Sequence, residues 1–190
     1  IKVKNKIITA HCANSGSMLG LLKKGNKVWI TKSLNLKRKL KYTLQIIQIK
    51  NSKVGVNTHL TNKIVNHALQ NNNIKYFKQN IKIKAEQVYG QNTRFDFYLE
   101  DSRNKIFLEV KSVTLKRKKK LAEFPDSITS RGTKHLNELV SAKKKGYQAY
   151  IIYVIQREDC NKFNVAKDID PDYSKALENA INKKVKVICY

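Results

Sequence analysis

The hydrophobic period of the chain changes once, near Leu60, and that change constrains the fold more than any single motif does. Before it, short runs of alternating or apolar residues sit between turn signals: KIITAHC at 6–12, KVWITKS at 27–33, LKYTLQIIQI at 40–49 and KVGVNT at 53–58, separated by ANSGS, KKGN and KNSK. Strands this short and this closely spaced predict a small β-barrel. After it, Ile64, Val65, Ala68 and Leu69 recur at helical spacing, and the asparagines at 71–73 end the segment. Three strands are expected around residues 81–90, 93–99 and 105–113. A helix over 131–146 follows, with Leu136, Leu139 and Val140 at i, i+3 and i+4 and Gly146 as its C-terminal cap. The run YQAYIIYVIQ at 147–156 is apolar on both faces and predicts a central strand of a mixed sheet. A last helix, SKALENAINKK, leads to a terminal strand, VKVICY. The expectation is an α/β protein with an all-β N-terminal part, divided into 1–58 and 59–190.

Charge points to the class of partner. The chain carries 39 Lys+Arg against 14 Asp+Glu, a net +25, and residues 1–85 contain 18 of the cations and none of the acids. A polycation of this kind attracts polyanions, and nucleic acid is the commonest, because each lysine near a phosphate releases condensed counterions. A base-biased genome accounts for surplus Lys, Ile and Asn more easily than for 85 residues without an acid. Cys12, Cys160 and Cys189 are widely separated, with no C-x-x-C pair, so neither a disulfide framework nor a zinc knuckle is indicated. No apolar run is long enough to span a bilayer and the N-terminus has no apolar signal core, so the cytoplasm is the expected location. Patterns for nucleotide hydrolases, dinucleotide enzymes and serine hydrolases are absent.

Against this scarcity of acids, RFDFYLEDSRNKIFLEVKS at 94–112 places Asp96 and Glu109 in what reads as a β-hairpin, with Lys111 two residues after the second acid. Residues i and i+2 of a strand share a face, so Glu109 and Lys111 point one way and Leu108 and Val110 the other. Phe95, Phe97 and Leu99 alternate with Arg94, Asp96 and Tyr98 on the neighbouring strand. Two carboxylates brought together repel unless something positive lies between them. A hard cation, Mg²⁺ or Mn²⁺, held by Asp96 and Glu109 with Lys111 beside it, is the economical solution, and that set suits phosphodiester hydrolysis. An exposed cross-strand ion pair is the alternative. The spacing D-x(12)-E-x-K resembles the signature of the PD-(D/E)XK nuclease superfamily.

A more extended resemblance covers the whole chain. TAHCANSGSMLGLL (9–22), NLKRKLKYTL (35–44), VGVNT (54–58), VYGQNTRFDFYL (88–99), FLEVKSVTL (107–115), FPDSITSRGTKHLNEL (124–139), QRED (156–159) and DIDPDY (168–173) match in order the motifs of the sugar fermentation stimulation protein A family. The resemblance implies an OB-fold-like barrel followed by a PD-(D/E)XK nuclease-like α/β domain, and a DNA-binding role linked to regulation of sugar metabolism. It also implies a further basic segment at the start of the barrel, so that residues 1–58 are expected to lack its first strand. Finally, it implies an acid near position 67, where this chain has His67.

Other residues join the candidate site by their surroundings. Arg131, His135 and Glu138 fall on one side of their helix, and Arg131, Lys134 and His135 are expected near the scissile phosphate, with Asp126 in the loop before. Asn14, Ser15 and Ser17 flank Gly16 in a small polar turn able to cradle a phosphate. Lys37, Arg38, Lys39 and Lys41, followed by Tyr42, mix cations and an aromatic as nucleic-acid-binding barrels do. Lys116, Arg117 and Lys118 begin a lysine-rich run expected to be flexible and to reach DNA backbone. Trp29 is expected in the core. His11 and Cys12, being adjacent, point to opposite faces and do not make a joint ligand pair. The competing readings are a non-catalytic DNA-binding regulator that uses the nuclease fold as a clamp, and an RNA-binding basic protein.

Overall fold

The computed structural model describes residues 1–14, 16–77, 81–90 and 93–190; the expectation for Ser15 lies outside them. The N-terminal part opens with a hairpin of β1 (Lys2–Val3) and β2 (Lys6–Ile7). A curved sheet follows, made of β3 (Ala10–His11), β4 (Val28–Lys32), β5 (Tyr42–Ile49) and β6 (Ser52–Gly55). β5 organises it, running parallel to β3 and antiparallel to both β4 and β6, with a bulge at Trp29/Ile30 that bends the sheet. Met18, Leu21, Ile47, Val54 and Val56 fill its interior. Trp29 lies outside this core: it is half-buried, and the ammonium groups of Lys27 and Lys53 sit 5.2 and 5.9 Å from its ring centroid.

A short 3-10 turn, Thr58–Leu60, leads into α1 (Thr61–Gln70). β7 (Lys82–Tyr89), β8 (Thr93–Glu100) and β9 (Lys105–Val113) form an antiparallel meander. β10 (Leu115–Lys118) and β11 (Lys120–Phe124) make a second hairpin. Then come α2 (Ser130–Lys144), β12 (Gln148–Ile155), β13 (Cys160–Val165), α3 (Pro171–Asn182) and β14 (Lys186–Cys189). The main sheet has the order β14-β12-β9-β8-β7. β12 is parallel to both its neighbours, and its Ile151, Ile152 and Tyr153 are fully buried, as its unbroken apolar run predicts. α2 and α3 cover one face through Leu136, Leu139, Tyr173 and Leu177. α1 covers part of the other through Val65, Ala68 and Leu69. Each large apolar side chain removed from water here stabilises the fold by about 1.5–3 kcal/mol. Among the described residues no helix is long and apolar enough to cross a membrane.

Two expectations are corrected. Phe95, Phe97 and Leu99 do not share a face: Phe97 and Leu99 pack on the α1 side, Phe95 on the α2 side. The alternation breaks at Asp96, opposite Glu86, whose φ of +55° gives β7 a local kink. Kinks of this type re-aim a side chain, and here the residue at the break is Asp96. Nor is the lysine-rich run at 116–120 flexible. It lies in the β10–β11 hairpin, and β11 pairs in parallel with β13, giving a small sheet of order β10-β11-β13. Lys116 pairs with Asp159 at 2.5 Å. Arg117 bonds Glu123 through Nε and Nη2 (2.9 and 2.7 Å) and Asp168 through Nη1 and Nη2 (2.5 and 2.9 Å). Arg157, with Lys116, holds Asp159 below the usual carboxylate range, and Arg117 does the same for Glu123, against the opposing effect of burial. Residues 117–120 are nonetheless exposed, Lys118 among them, and Lys116 is half-buried.

Polar contacts fasten the two parts together. Gly55 N–H donates to the Gln156 carbonyl (2.8 Å) and Lys53 N–H to Glu158 Oε2 (2.8 Å).

Candidate active site

The β8–β9 ladder ends at Phe97 opposite Leu108, which leaves Asp96 and Glu109 as the next facing pair. Where the next main-chain partner of Val110 would be, its N–H instead donates to Asp96 Oδ2 at 2.7 Å. Asn62, on the first turn of α1, donates to the other oxygen, Oδ1, at 2.7 Å. The break in alternation thus turns Asp96 towards Glu109, and a helix from another part of the sequence fixes its rotamer.

Glu109 is 3% exposed. Its Oε1 accepts from Lys111 Nζ at 2.7 Å and from His135 Nδ1 on α2. Its Oε2 is buried and, among the described residues, finds no partner. Burial alone would raise the Glu109 carboxyl, but the Lys111 charge and the His135 hydrogen bond outweigh it and hold the group below its ordinary value. Asp96 goes the other way. Burial, then the negative charge of Glu109, push it from 3.8 to about 6, against the opposing hydrogen bonds from Val110 and Asn62. The pair therefore holds one firm negative charge and one that is easily neutralised.

These groups line a cleft of about 480 Å³ together with Asn14, Gly16, Asp126 and Arg131. Its far wall comes from the N-terminal part. Met18 N–H donates to Asp126 Oδ2 at 3.0 Å, and Ser17 Oγ donates to the Asp126 carbonyl. Gly16 packs so close that a Cβ there would overlap both carboxylate oxygens of Asp126. Residues 16–18 are therefore engaged by a carboxylate: the Met18 N–H that an anion would need is taken, and Ser17 is a hook between the two parts. Asn14 accepts from Gly16 N–H at 2.8 Å and stays at the cleft wall.

The structure thus brings together Asp96, Glu109, Lys111, Arg131, His135 and Asn14. Arg131 Nε lies 3.5 Å from His135 Nε2, and Lys134 borders an adjoining cleft that shares Asp96, Arg131 and His135. Lys37, Lys39 and Lys41 are exposed on the loop between β4 and β5, outside the cleft, and Arg38 donates to Thr43 Oγ1 at 2.8 Å. Lys116 and Arg117 are occupied by the ion pairs described above. His67 is exposed at the far end of α1, and the helix meets the site through Asn62 instead. Asn62 is the site residue the sequence reading missed. Its signal was faint: Asn62 and Asn66 occupy one helix face at i, i+4, beside Val65 and Leu69.

The donor set suits a hard cation. Two carboxylates, one with an orphaned buried oxygen, match an ion that takes one or two protein carboxylates and keeps several waters. Among the described residues no group of three or more His, Cys, Asp and Glu forms a self-sufficient cage of the kind structural zinc requires.

Comparison with known proteins agrees with this architecture. The model of the SfsA N-terminal OB domain matches residues 1–56, and that of the sugar fermentation stimulation protein RE domain matches residues 59–190. A sugar fermentation stimulation protein homolog of Pelagibacter ubique is 53% identical over 190 residues, 100% of this chain and 82% of that protein. A homolog of the same description from Ruegeria sp. is 45% identical over 181 residues, 94% of this chain and 78% of that protein. Among solved structures, SfsA from Pyrococcus furiosus in complex with Ca²⁺ superposes with a TM-score of 0.91 at 23% identity, over 99% of this chain and 80% of that one. The expected order, an OB-type barrel followed by an α/β domain, is borne out.

Proposed function

The chain belongs to the sugar fermentation stimulation protein family, and on that premise we propose that it binds DNA and hydrolyses a phosphodiester bond with a divalent cation held by Asp96 and Glu109. The observation that carries this reading is the orphaned Oε2 of Glu109, buried beside Asp96 in a cleft also lined by Lys111 and Arg131. That the Pyrococcus furiosus SfsA structure is a complex with Ca²⁺ supports it, because Ca²⁺ belongs to the same oxygen-seeking class as Mg²⁺ and Mn²⁺.

When bound, such a cation supplies positive charge for the phosphoryl oxygens and a more acidic water. The rest falls to side chains of this chain. Asn62 and the Val110 N–H orient Asp96, and His135 fixes Glu109 so that its second oxygen remains available. Lys111, beside Glu109, would stabilise negative charge developing on the phosphoryl oxygens. Arg131 offers a planar fork to a neighbouring phosphate. The acid-free first part, with exposed Lys37, Lys39 and Lys41, supplies backbone affinity without sequence readout. Regulation of sugar metabolism, the role the family's name carries, would then be a consequence of action on DNA.

The Lys111–Glu109 ion pair favours a second reading, since it neutralises one acid with no metal at all. On that view the protein is a non-catalytic clamp. The test incubates labelled single-stranded, duplex and branched DNA with Mg²⁺, Mn²⁺ or EDTA, beside Asp96→Ala and Lys111→Ala proteins. Cutting by the wild type alone, stopped by EDTA, is expected. Binding by all three without cutting would leave the clamp. Preference for RNA in competition at fixed salt would point to the RNA-binding alternative.

A further inference from the structure

We propose that the cleft on the far side of the Asp96–His135 wall is a second phosphate subsite, which holds the nucleic-acid phosphate next to the one at the carboxylate pair. This rests on the reading of the first cleft as a site for DNA. The two clefts share Asp96, Arg131 and His135, so a strand crossing one enters the other.

Beyond the shared wall, the second cleft is lined by Arg94, Lys134, Glu86, Thr93 and Val88. Its charge suits an anion, with Arg94, Arg131 and Lys134 set against Glu86 as the acid beyond the wall. Arg94 Nη1 lies 3.7 Å from Glu86 Oε2, and both side chains are 59% exposed. An exposed pair of that length is weak, so the guanidinium can be redirected to a phosphate. Glu86 sits at the φ of +55° that also re-aims Asp96, so one backbone irregularity shapes both clefts.

Thr93 gives the independent observation. It is 6% exposed, and among the described residues its buried Oγ1 finds no hydrogen-bond partner. A buried hydroxyl left unsatisfied disfavours folding, whereas valine would fill the same shape without that cost. A hydroxyl kept in an anion-suited cleft is explained by a ligand that accepts its proton, and a phosphate oxygen does so.

The shared chemistry is a phosphate group, either an internal diester or a terminal monoester. Binding of short single-stranded DNA would be followed by fluorescence anisotropy in EDTA, so that cleavage does not enter. A single neutral methylphosphonate is walked along the strand and tested against wild type, Arg94→Ala, Thr93→Val and Glu86→Gln. Matched strands carrying 5′-phosphate, 3′-phosphate or hydroxyl ends complete the set. At one position the methylphosphonate is expected to weaken wild-type binding about tenfold and Arg94→Ala hardly at all. Arg94→Ala should also flatten the log–log salt slope by about 0.7 on a single strand. Thr93→Val should raise the thermal midpoint yet lose affinity several-fold, and Glu86→Gln should tighten binding. Coupling at an internal position identifies a diester, and coupling confined to phosphorylated ends identifies a chain terminus. Equal methylphosphonate sensitivity in wild type and Arg94→Ala at every position, with affinity unchanged in Thr93→Val, overturns the subsite, as does failure to bind any strand. Retained coupling without cleavage in Mg²⁺ would count against the phosphodiesterase reading alone. Cleavage without coupling would count against the subsite alone.

Discussion

Replacing Asp96 by Asn makes the pH dependence of folding report on the carboxylate pair. The Asp96 carboxyl moves from 3.8 to about 6 on folding, through burial and the neighbouring charge of Glu109. A group that holds its proton more tightly folded than unfolded favours folding in acid. That contribution is complete below about pH 4 and is lost as the pH rises through about 6. At about 1.4 kcal/mol per tenfold change in proton affinity, the loss by pH 8 is about 3 kcal/mol. For a chain of this size, that corresponds to roughly 6–12 °C in thermal midpoint. Asparagine has the same shape and does not titrate. Wild type measured in EDTA should therefore lose about 3 kcal/mol relative to Asp96→Asn between pH 4 and pH 8. Millimolar Mg²⁺ or Mn²⁺ at pH 8 should reverse the order, because only wild type offers the second carboxylate. A difference between the two proteins that stays flat from pH 4 to pH 8 would refute the claim that burial and Glu109 disfavour the Asp96 charge.

Four further outcomes follow from other residues. Asn62→Ala removes a hydrogen bond that favours ionised Asp96, so the pH at which divalent cations begin to protect against thermal unfolding should rise; an unchanged onset would mean Asn62 is not engaged. Arg117→Ala strips the buried Glu123 of its bidentate partner and should cost about 1–3 kcal/mol in denaturant melts with little change in the salt dependence of DNA binding. Lys118→Ala should do the reverse, leaving stability intact and reducing the duplex salt slope by about 0.9 if that exposed lysine meets a phosphate. Gly16→Ala would drive a methyl into the Asp126 carboxylate, so it should impair cutting and expose residues 16–18 to limited proteolysis. The double variant with Asp126→Ala should be milder, because the obstructing carboxylate is gone.

What the sequence disclosed about the site is what the hairpin carries locally. Asp96, Glu109 and Lys111 lie on adjacent strands joined by a short turn, so strand pairing puts them near one another, and the break in alternation sets the final aim of Asp96. His135 was legible from its place one turn after Arg131, although that spacing sets it opposite Leu136 and Val140 and the helix instead buries it against the sheet with Leu136 and Leu139. Asn62 was not: its contact with Asp96 spans 34 residues and depends on how α1 crosses the sheet, which no local pattern encodes. The same reason hid the role of Lys116 and in part that of Arg117, whose partners Asp159 and Asp168 lie 43 and 51 residues downstream, although Glu123 is only 6 away from Arg117. β11 and β13 escaped because KLAEF and CNKFNV are short and mixed, and their pairing is non-local. The face switch between Phe95 and Phe97 comes from a left-handed residue on the neighbouring strand, where a glutamate gives no hint of it.

The hook between Ser17, Met18 and Asp126 bears on how such a protein can be inherited. The two family models meet at residues 57–58, yet the cleft takes walls from both sides of that boundary. A recombination event that cut at the seam and exchanged the barrel for another would lose Asn14, Gly16 and the anchor of the Asp126 loop together. The seam, and not either module, is therefore the heritable unit of this site, and lineages should have kept the two halves as a pair.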